Sequence, residues 1–220
     1  MIAKRMGRPP QISRAAIVKA ATAKDAKPTL KGIADVLGVT PQALYRHVAN
    51  FADVQKMIFE EMGKRSPYPT YNGETWRDWL VIIATWLHGR YKLIPRVFEI
   101  APALPEIAER YEVTLAIAKA AGYDETDALI TLRLVVEYTQ AYVGRERRAE
   151  GLGLKKKDFE PLSFAEVLDS QPKLYPLLRK AAKGANMTSD ARFQLGVCAL
   201  IDGLLMRSKS AEKAKASSRR

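Results

Sequence analysis

Hydrophobic residues recur along the chain at the three- and four-residue spacing of amphipathic helices. The clearest set is Leu30, Ile33, Ala34 and Leu37, at positions i, i+3, i+4 and i+7. Gly38 follows this set, where a left-handed residue commonly ends a helix. Three residues with side-chain oxygens that cap helix N-termini precede predicted helices: Ser13, Thr29 and Thr40. A fourth helix is predicted from about residue 50 to residue 64.

A break at residues 66–69 (Ser-Pro-Tyr-Pro) separates these short helices from longer ones. The apolar runs beyond the break lack the alternation of strands and are too long for them. They predict helices over residues 75–92, 105–121, 125–149, 172–183 and 189–208. The predicted fold class is therefore all-α, with domains at 1–65 and 66–208 and a disordered basic tail at 209–220.

The excess positive charge lies at the two ends of the chain. The net charge is +12; residues 1–65 hold 12 Lys and Arg against 5 Asp and Glu, and residues 207–220 hold 6 against 1. The segment between them holds 18 of each sign. Positive charge on an N-terminal module is typical of nucleic-acid binding, whereas a solvated tail is the simpler interpretation of the last fourteen residues.

Composition argues against several other classes of protein. Cys198 is the single cysteine, which excludes an intrachain disulfide and a multi-cysteine zinc cluster, and there are two histidines. We therefore expect no metal and no cofactor. The longest uncharged apolar run, residues 79–87, is far shorter than the ~20 residues that cross a membrane, and no apolar signal core begins the chain. We expect a cytoplasmic protein with no membrane partner.

Residues 29–48 have the pattern of a helix-turn-helix. Small Ala34 permits a close helix crossing, Gly38 takes the turn, and Leu44 and Val48 face inward from the following helix. A plain helical hairpin is the alternative. Inward packing of these positions leaves the following residues to face a DNA major groove: Thr40, Pro41, Gln42, Tyr45, Arg46 and His47. The Gln42 side chain can hydrogen-bond to adenine, and Arg46 can bind guanine or phosphate. The hydroxyl groups of Thr40 and Tyr45 can hydrogen-bond to phosphate oxygens.

Residues 33–50 (IADVLGVTPQALYRHVAN) resemble the TetR family of bacterial transcriptional repressors, with LYRHV as its most recognisable string. The strings GETWRDWL at 73–80, FQLG at 193–196 and LIDGL at 200–204 resemble the tetracycline-repressor branch. The resemblance implies an all-helical homodimer whose head binds a pseudo-palindromic operator in double-stranded DNA. It also implies a larger domain that dimerises and binds a small-molecule effector.

The resemblance also bears on DNA contacts outside the recognition helix. Lys31 stands at a second-helix position that contacts DNA in the family, and Thr29 at the start of that helix joins the candidate set. Arg8 belongs to a basic arm that can enter a minor groove, with a frayed terminus as the alternative. The family commonly has Lys where this chain has Phe51; the N–H groups of the first turn of the fourth helix are expected to take the phosphate instead.

The larger domain offers aromatic and polar candidates for the effector site. Aromatic residues at helical spacing are more often core than pocket, so both interpretations stay open. Glu137 is a different kind of candidate from the aromatic residues, because a charged side chain in an apolar stretch requires contact with water, a charged partner or a ligand. The candidate ligand-binding residues are Trp86, His88, Tyr91, Glu137, Tyr138 and Tyr142.

These features predict a homodimeric, sequence-specific transcriptional repressor that a small-molecule effector releases from its operator. One alternative is an architectural DNA-binding protein without an effector. The other is an enzyme on a helical scaffold, but no nucleophile–base pair, metal-ligand set or phosphate-binding loop is recognisable. We therefore predict that the protein is not an enzyme.

Overall fold

The computed structural model describes residues 12–23, 27, 29–93, 105–151, 168, 170–171, 173–184 and 187–217, and this part of the chain is helical with no β-strand. None of the described helices is long and apolar enough to span a membrane. In chain order the helices are α1 (Arg14–Ala21), α2 (Leu30–Leu37), α3 (Pro41–Leu44), α4 (Phe51–Arg65), α5 (Trp76–Leu93), α6 (Pro105–Ala120), α7 (Glu125–Gly151), α8 (Pro176–Gly184) and α9 (Ser189–Ser217).

Most helix bounds agree with the sequence prediction to within two residues, and two differ more. Helix α8 begins at Pro176 and not at residue 172, because Tyr175 has a left-handed φ of 58° that a helix does not accommodate. Helix α9 continues to Ser217, through residues 209–217 of the stretch that the sequence assigns to a disordered tail. That stretch is rich in Ala and Lys, which favour helix.

Two compact units divide the chain. One comprises Met1–Thr70 and Gly89–Ile117, and the other comprises Tyr71–His88 and Ala118–Arg220. The chain therefore passes between the units three times, and the first crossing lies near the Pro-rich break at residues 66–69. Residues from the end of α5 and most of α6 belong to the same unit as the short N-terminal helices.

The core of the first unit is built from helices α1 to α4. The loop before α2 packs closely against that helix; at Gly32 a Cβ would lie 2.6 Å from the carbonyl oxygen of Lys27. Tyr91 packs against this core from the end of α5. The buried apolar residues are Ile17, Val18, Ala20, Ala21, Ile33, Ala34, Leu44, Val48, Val54, Ile58 and Met62.

A buried arginine joins the end of α5 to the end of α4 within the first unit. Arg90 donates from Nη1 to the carbonyl oxygen of Ser66 at 2.8 Å, and its guanidinium lies 5.2 Å from the Phe59 ring centroid. Burial, and secondarily the positive charge of Arg110, lower the pKa of Arg90 to about 10. Because this pKa is still well above neutral pH, the guanidinium remains charged. It places a cation at the C-terminal end of α4, where the free carbonyl groups of the last turn favour a positive charge.

The core of the second unit lies among α5, α7 and α9, and the last two helices pack against each other. Arg77 on α5 forms two hydrogen bonds with the carboxylate of Asp202 on α9, at 2.6 and 3.0 Å. The largest side chains that are almost fully buried in this unit are Trp79, Leu80, Val135, Val143, Phe193 and Ile201.

Candidate functional site

Helix α2 is held at both ends by local hydrogen bonds. The side chain of Thr29 accepts the Gly32 N–H at 3.0 Å, and Gly38 ends the helix with a left-handed φ of 68°. The N–H of Val39 then donates to the carbonyl of Ala34 at 3.0 Å. These bonds fix a tight turn between α2 and α3, as the sequence predicted.

Helix α3 is only four residues long, Pro41–Leu44, and continues as a turn through residue 47. The Thr40 hydroxyl caps it by accepting the Ala43 N–H at 3.2 Å, and Pro41 takes the first turn, where a missing N–H costs nothing. Leu44 and Val48 are buried, which confirms the inward face of the predicted helix-turn-helix.

The outward face of this segment is exposed to solvent. Tyr45 is 55% exposed. Thr29 and Lys31 are exposed on the preceding helix, whereas Arg8 lies outside the described residues. The face offers a guanidinium, an amide and a phenol hydroxyl, which are groups that hydrogen-bond to bases and phosphates. The predicted base- and phosphate-contacting residues exposed here are Thr40, Pro41, Gln42, Tyr45, Arg46 and His47.

The N-terminus of α4 differs from the expected phosphate site. The Asn50 side chain already accepts the Asp53 N–H at 3.1 Å, and the Asp53 carboxylate accepts the Ala49 N–H at 2.7 Å. The expectation that the first-turn N–H groups take a phosphate is therefore wrong for the Asp53 donor. The Asp53 carboxylate also places a negative charge there, which repels phosphate. Phe51 packs against the core of the first unit.

Three of the predicted effector-binding residues meet around Phe193 in the second unit. The His88 ring stacks on Phe193 with centroids 4.0 Å apart and planes 7° apart. Tyr142 approaches Phe193 edge-on at 5.3 Å, and Tyr138 lies 6.0 Å from it. Burial raises the pKa of Tyr138 above its ordinary value. The arrangement is an aromatic cluster with polar edges.

The other three predicted effector-binding residues do not join this cluster. Trp86 is half-buried on α5, and Tyr91 belongs to the first unit. Glu137 is exposed, with an oxygen 3.9 Å from Arg133 Nη2. The charge in the apolar stretch of α7 therefore meets water, which was one of the outcomes that the sequence left open.

A cavity of about 450 Å³ in the second unit was missed by sequence reasoning. Trp76 forms part of the cavity wall and is buried, and its ring centroid lies 6.2 Å from that of Tyr123. The hydrogen bonds from Arg77 hold the pKa of Asp202 below its ordinary value of 3.8. No local signal pairs these residues, because the two charged partners are 125 positions apart. The cavity is lined by Thr75, Trp76, Arg77, Tyr123, Asp202, Leu205 and Met206.

Residues 68–207 match the family model described as "Tetracyclin repressor-like, C-terminal domain". The match covers more than half of the chain and coincides with the long helices that follow the Pro-rich break. No curated protein matches the chain significantly.

Solved structures share the fold over nearly the whole chain. A possible TetR family transcriptional regulator from Streptomyces coelicolor A3(2) is 21% identical, with 88% of this chain and 99% of that chain covered and a TM-score of 0.65. ActR from Streptomyces coelicolor in complex with actinorhodin is also 21% identical, with coverages of 91% and 99% and a TM-score of 0.64. BioQ with its double-stranded DNA operator is 20% identical, with coverages of 88% and 98% and a TM-score of 0.52.

Proposed function

This chain belongs to the tetracycline-repressor-like (TetR) family, and from that premise we propose that it is a homodimeric transcriptional repressor that a small-molecule effector releases from its DNA operator. The observation that carries the proposal is the exposed face of α3 and the following turn. Tyr45 and Arg46 are exposed there, while Leu44 and Val48 of the same segment anchor it to the core. The solved structure of BioQ with its operator supports DNA as the partner.

DNA footprinting on the region that flanks the protein's own gene tests this proposal. A specific dimer protects a short symmetric site, because two heads about one helical turn apart bind successive major grooves. We expect the double variant Tyr45→Ala, Arg46→Ala to lose specific protection while circular dichroism shows the same helix content. Lys19→Ala is the matched control, because Lys19 is an exposed cation on α1 outside the candidate surface.

Diffuse protection that disappears as salt rises would replace this proposal with the architectural alternative, because phosphate contacts alone are sequence-independent and salt-sensitive. Unchanged specific protection in the double variant would contradict the assigned surface. The proposal includes no catalytic activity and places the protein in the cytoplasm, where its DNA is. Family membership supports both statements.

Exposed apolar side chains on α7 and α9 support the homodimer. Ile130 and Leu134 lie one turn apart on α7, and Leu195 and Met206 lie on α9; Met206 is 72% exposed. Leu195 and Met206 are eleven residues apart, which places them on one side of α9, and exposed apolar residues that share a helix face favour a protein interface. We propose that these two helices form the dimer contact.

Analytical ultracentrifugation of the variant Met206→Glu tests the dimer contact. A buried, unpaired carboxylate opposes association, so we expect a larger monomer fraction than in the wild-type protein. Val113→Glu is the control, because Val113 is also an exposed apolar residue, at 54%, and lies on α6. A dimer that is equally stable in both variants would place the interface elsewhere.

We place the effector in the second unit. The cavity of about 450 Å³ lies within the usual range for small-molecule sites, and the aromatic cluster around Phe193 offers a second apolar surface. The structure of ActR with actinorhodin supports a small molecule as the ligand class. An effector screen by thermal shift, repeated with Tyr123→Ala and Tyr138→Ala, distinguishes the two places, because each variant removes a side chain from only one of them.

A further inference from the structure

Three side chains with metal-ligating atoms converge in the second unit. They are His88 on α5, Glu146 on α7 and Asp190 in the first turn of α9, and one donor atom of each lies within 4.8 Å of the other two. His88 is 7% exposed, Glu146 is half-buried and Asp190 is exposed. We propose that these three residues bind a divalent transition-metal ion of the zinc class, contrary to the sequence expectation of no metal.

The distance between the two better-buried donors fits a shared ion. His88 Nε2 lies 3.5 Å from Glu146 Oε2. Two ligands on one tetrahedral zinc ion, each with a bond of about 2.1 Å, stand about 3.4 Å apart. The Asp190 donor lies within 4.8 Å of the other two, so it must approach by up to about 1.4 Å to complete the set by the same geometry. Asp190 is exposed in the first turn of α9, so an ion can reach its carboxylate from solvent.

Neighbouring side chains orient the two inner ligands before any ion binds. Parallel stacking on Phe193 and the edge of Tyr142, at 5.9 Å, fix the plane of the His88 ring. The Ser189 hydroxyl hydrogen-bonds to the Glu146 carboxylate, and Tyr142 donates to the Ser189 carbonyl oxygen at 2.7 Å. Groups that hold metal ligands in this way raise metal affinity, typically about 10- to 100-fold.

The donor set indicates which ions the site prefers. One imidazole nitrogen and two carboxylate oxygens carry two negative charges and match a divalent ion. Imidazole favours zinc, cobalt and nickel, whereas magnesium prefers an octahedral set of oxygen ligands and retains its waters. Three protein ligands leave a coordination position for water. The site does not depend on the proposed repressor function, because its ligands lie outside the DNA-binding surface.

Titration calorimetry with zinc chloride tests the proposal on the full-length, tag-free dimer after treatment with a chelator. We expect one zinc ion per chain, and binding of magnesium at least 100-fold weaker. Glu146→Gln and Asp190→Asn preserve side-chain size and hydrogen bonding, so the variants should stay folded. Zinc affinity should fall by more than the roughly 10- to 100-fold that is typical of losing an outer-shell partner, because each variant replaces a ligand itself. Glu137→Gln removes an exposed carboxylate from the same helix as Glu146 and should bind zinc as the wild-type protein does.

The visible absorption spectrum after addition of cobalt chloride provides a second measurement. If Glu146 only stabilised the fold, Glu146→Gln would leave this spectrum unchanged. Cobalt bound by a nitrogen and oxygen ligand set in a four- or five-coordinate geometry gives visible absorption bands, and these should be absent from Glu146→Gln. The proposal is overturned if zinc does not bind, if magnesium binds equally well, or if Glu146→Gln binds zinc with the affinity of the wild-type protein. It is also overturned if zinc binding is lost in His47→Ala, which would place the ion on the exposed histidine of the first unit.

Discussion

Gly32 and Gly63 are both helical glycines in the first unit, and we predict that the same substitution acts on them with opposite signs. A Cβ on Gly32 would lie 2.6 Å from the carbonyl oxygen and 2.8 Å from the Cβ of Lys27. The carbonyl oxygen is a backbone atom that already accepts the Thr29 N–H at 2.7 Å, so no side-chain rotation relieves the contact. A Cβ on Gly63 would meet no atom within 4 Å.

The structure sets the size of the two effects. With alanine at position 32, the turn that contains Lys27 must move by 0.8 Å. This movement increases the separation between the new Cβ and the Lys27 carbonyl oxygen from 2.6 Å to the 3.4 Å of an ordinary contact. Overpacking of this kind costs about 1–3 kcal/mol, and the higher helix propensity of alanine returns up to about 1 kcal/mol. We therefore expect Gly32→Ala to lower the free energy of unfolding of the first unit by about 1–2 kcal/mol, and Gly63→Ala to raise it by about 0.5–1 kcal/mol.

Hydrogen exchange of the full-length protein, followed by mass spectrometry of peptides from α2 and α3, measures this local stability. We expect these amides to exchange about 5- to 30-fold faster in Gly32→Ala, with weaker operator binding, and more slowly or unchanged in Gly63→Ala. If Gly32→Ala protects the head as well as Gly63→Ala does, the close approach of Lys27 to α2 is not a feature of the folded protein.

Three further predictions test single contacts. Arg90→Met removes the donor to the Ser66 carbonyl and should destabilise the first unit by about 2 kcal/mol, with faster exchange in the last turn of α4; unchanged exchange there would refute it. Because Arg77 lowers the pKa of Asp202, their pair stabilises the fold above pH 3.8 and loses this effect as pH falls through 3.8 and then the lower folded-state pKa. The Tm difference between wild-type protein and Asp202→Asn should therefore shrink between about pH 5 and pH 3, and a constant difference would contradict the pairing. Thr40→Ala should cost about 1 kcal/mol and weaken operator binding, whereas Thr40→Ser keeps the capping oxygen; equal losses in both would exclude the cap as the cause.

The helix-turn-helix formed by α2 and α3 was predictable from the sequence because the interactions that specify it are local. Thr29 and Thr40 cap helices through N–H groups three residues away, and Gly38 ends α2 by its own backbone conformation. Each signal lies within one or two helical turns of the structure that it specifies, so the sequence alone determined the helix-turn-helix and its exposed face. It did not determine how briefly α3 continues, or that Asp53 occupies the N-terminus of α4.

The interior of the larger domain was decided by tertiary structure. Aromatic residues at helical spacing indicate a buried face without indicating which helix it meets, so Tyr91 and His88, three positions apart on α5, belong to different units. The contact between Arg77 and Asp202, and the convergence of His88 with Glu146 and Asp190, join residues far apart in the chain. Local periodicity carries no information about such pairs, because packing of whole helices sets which faces meet.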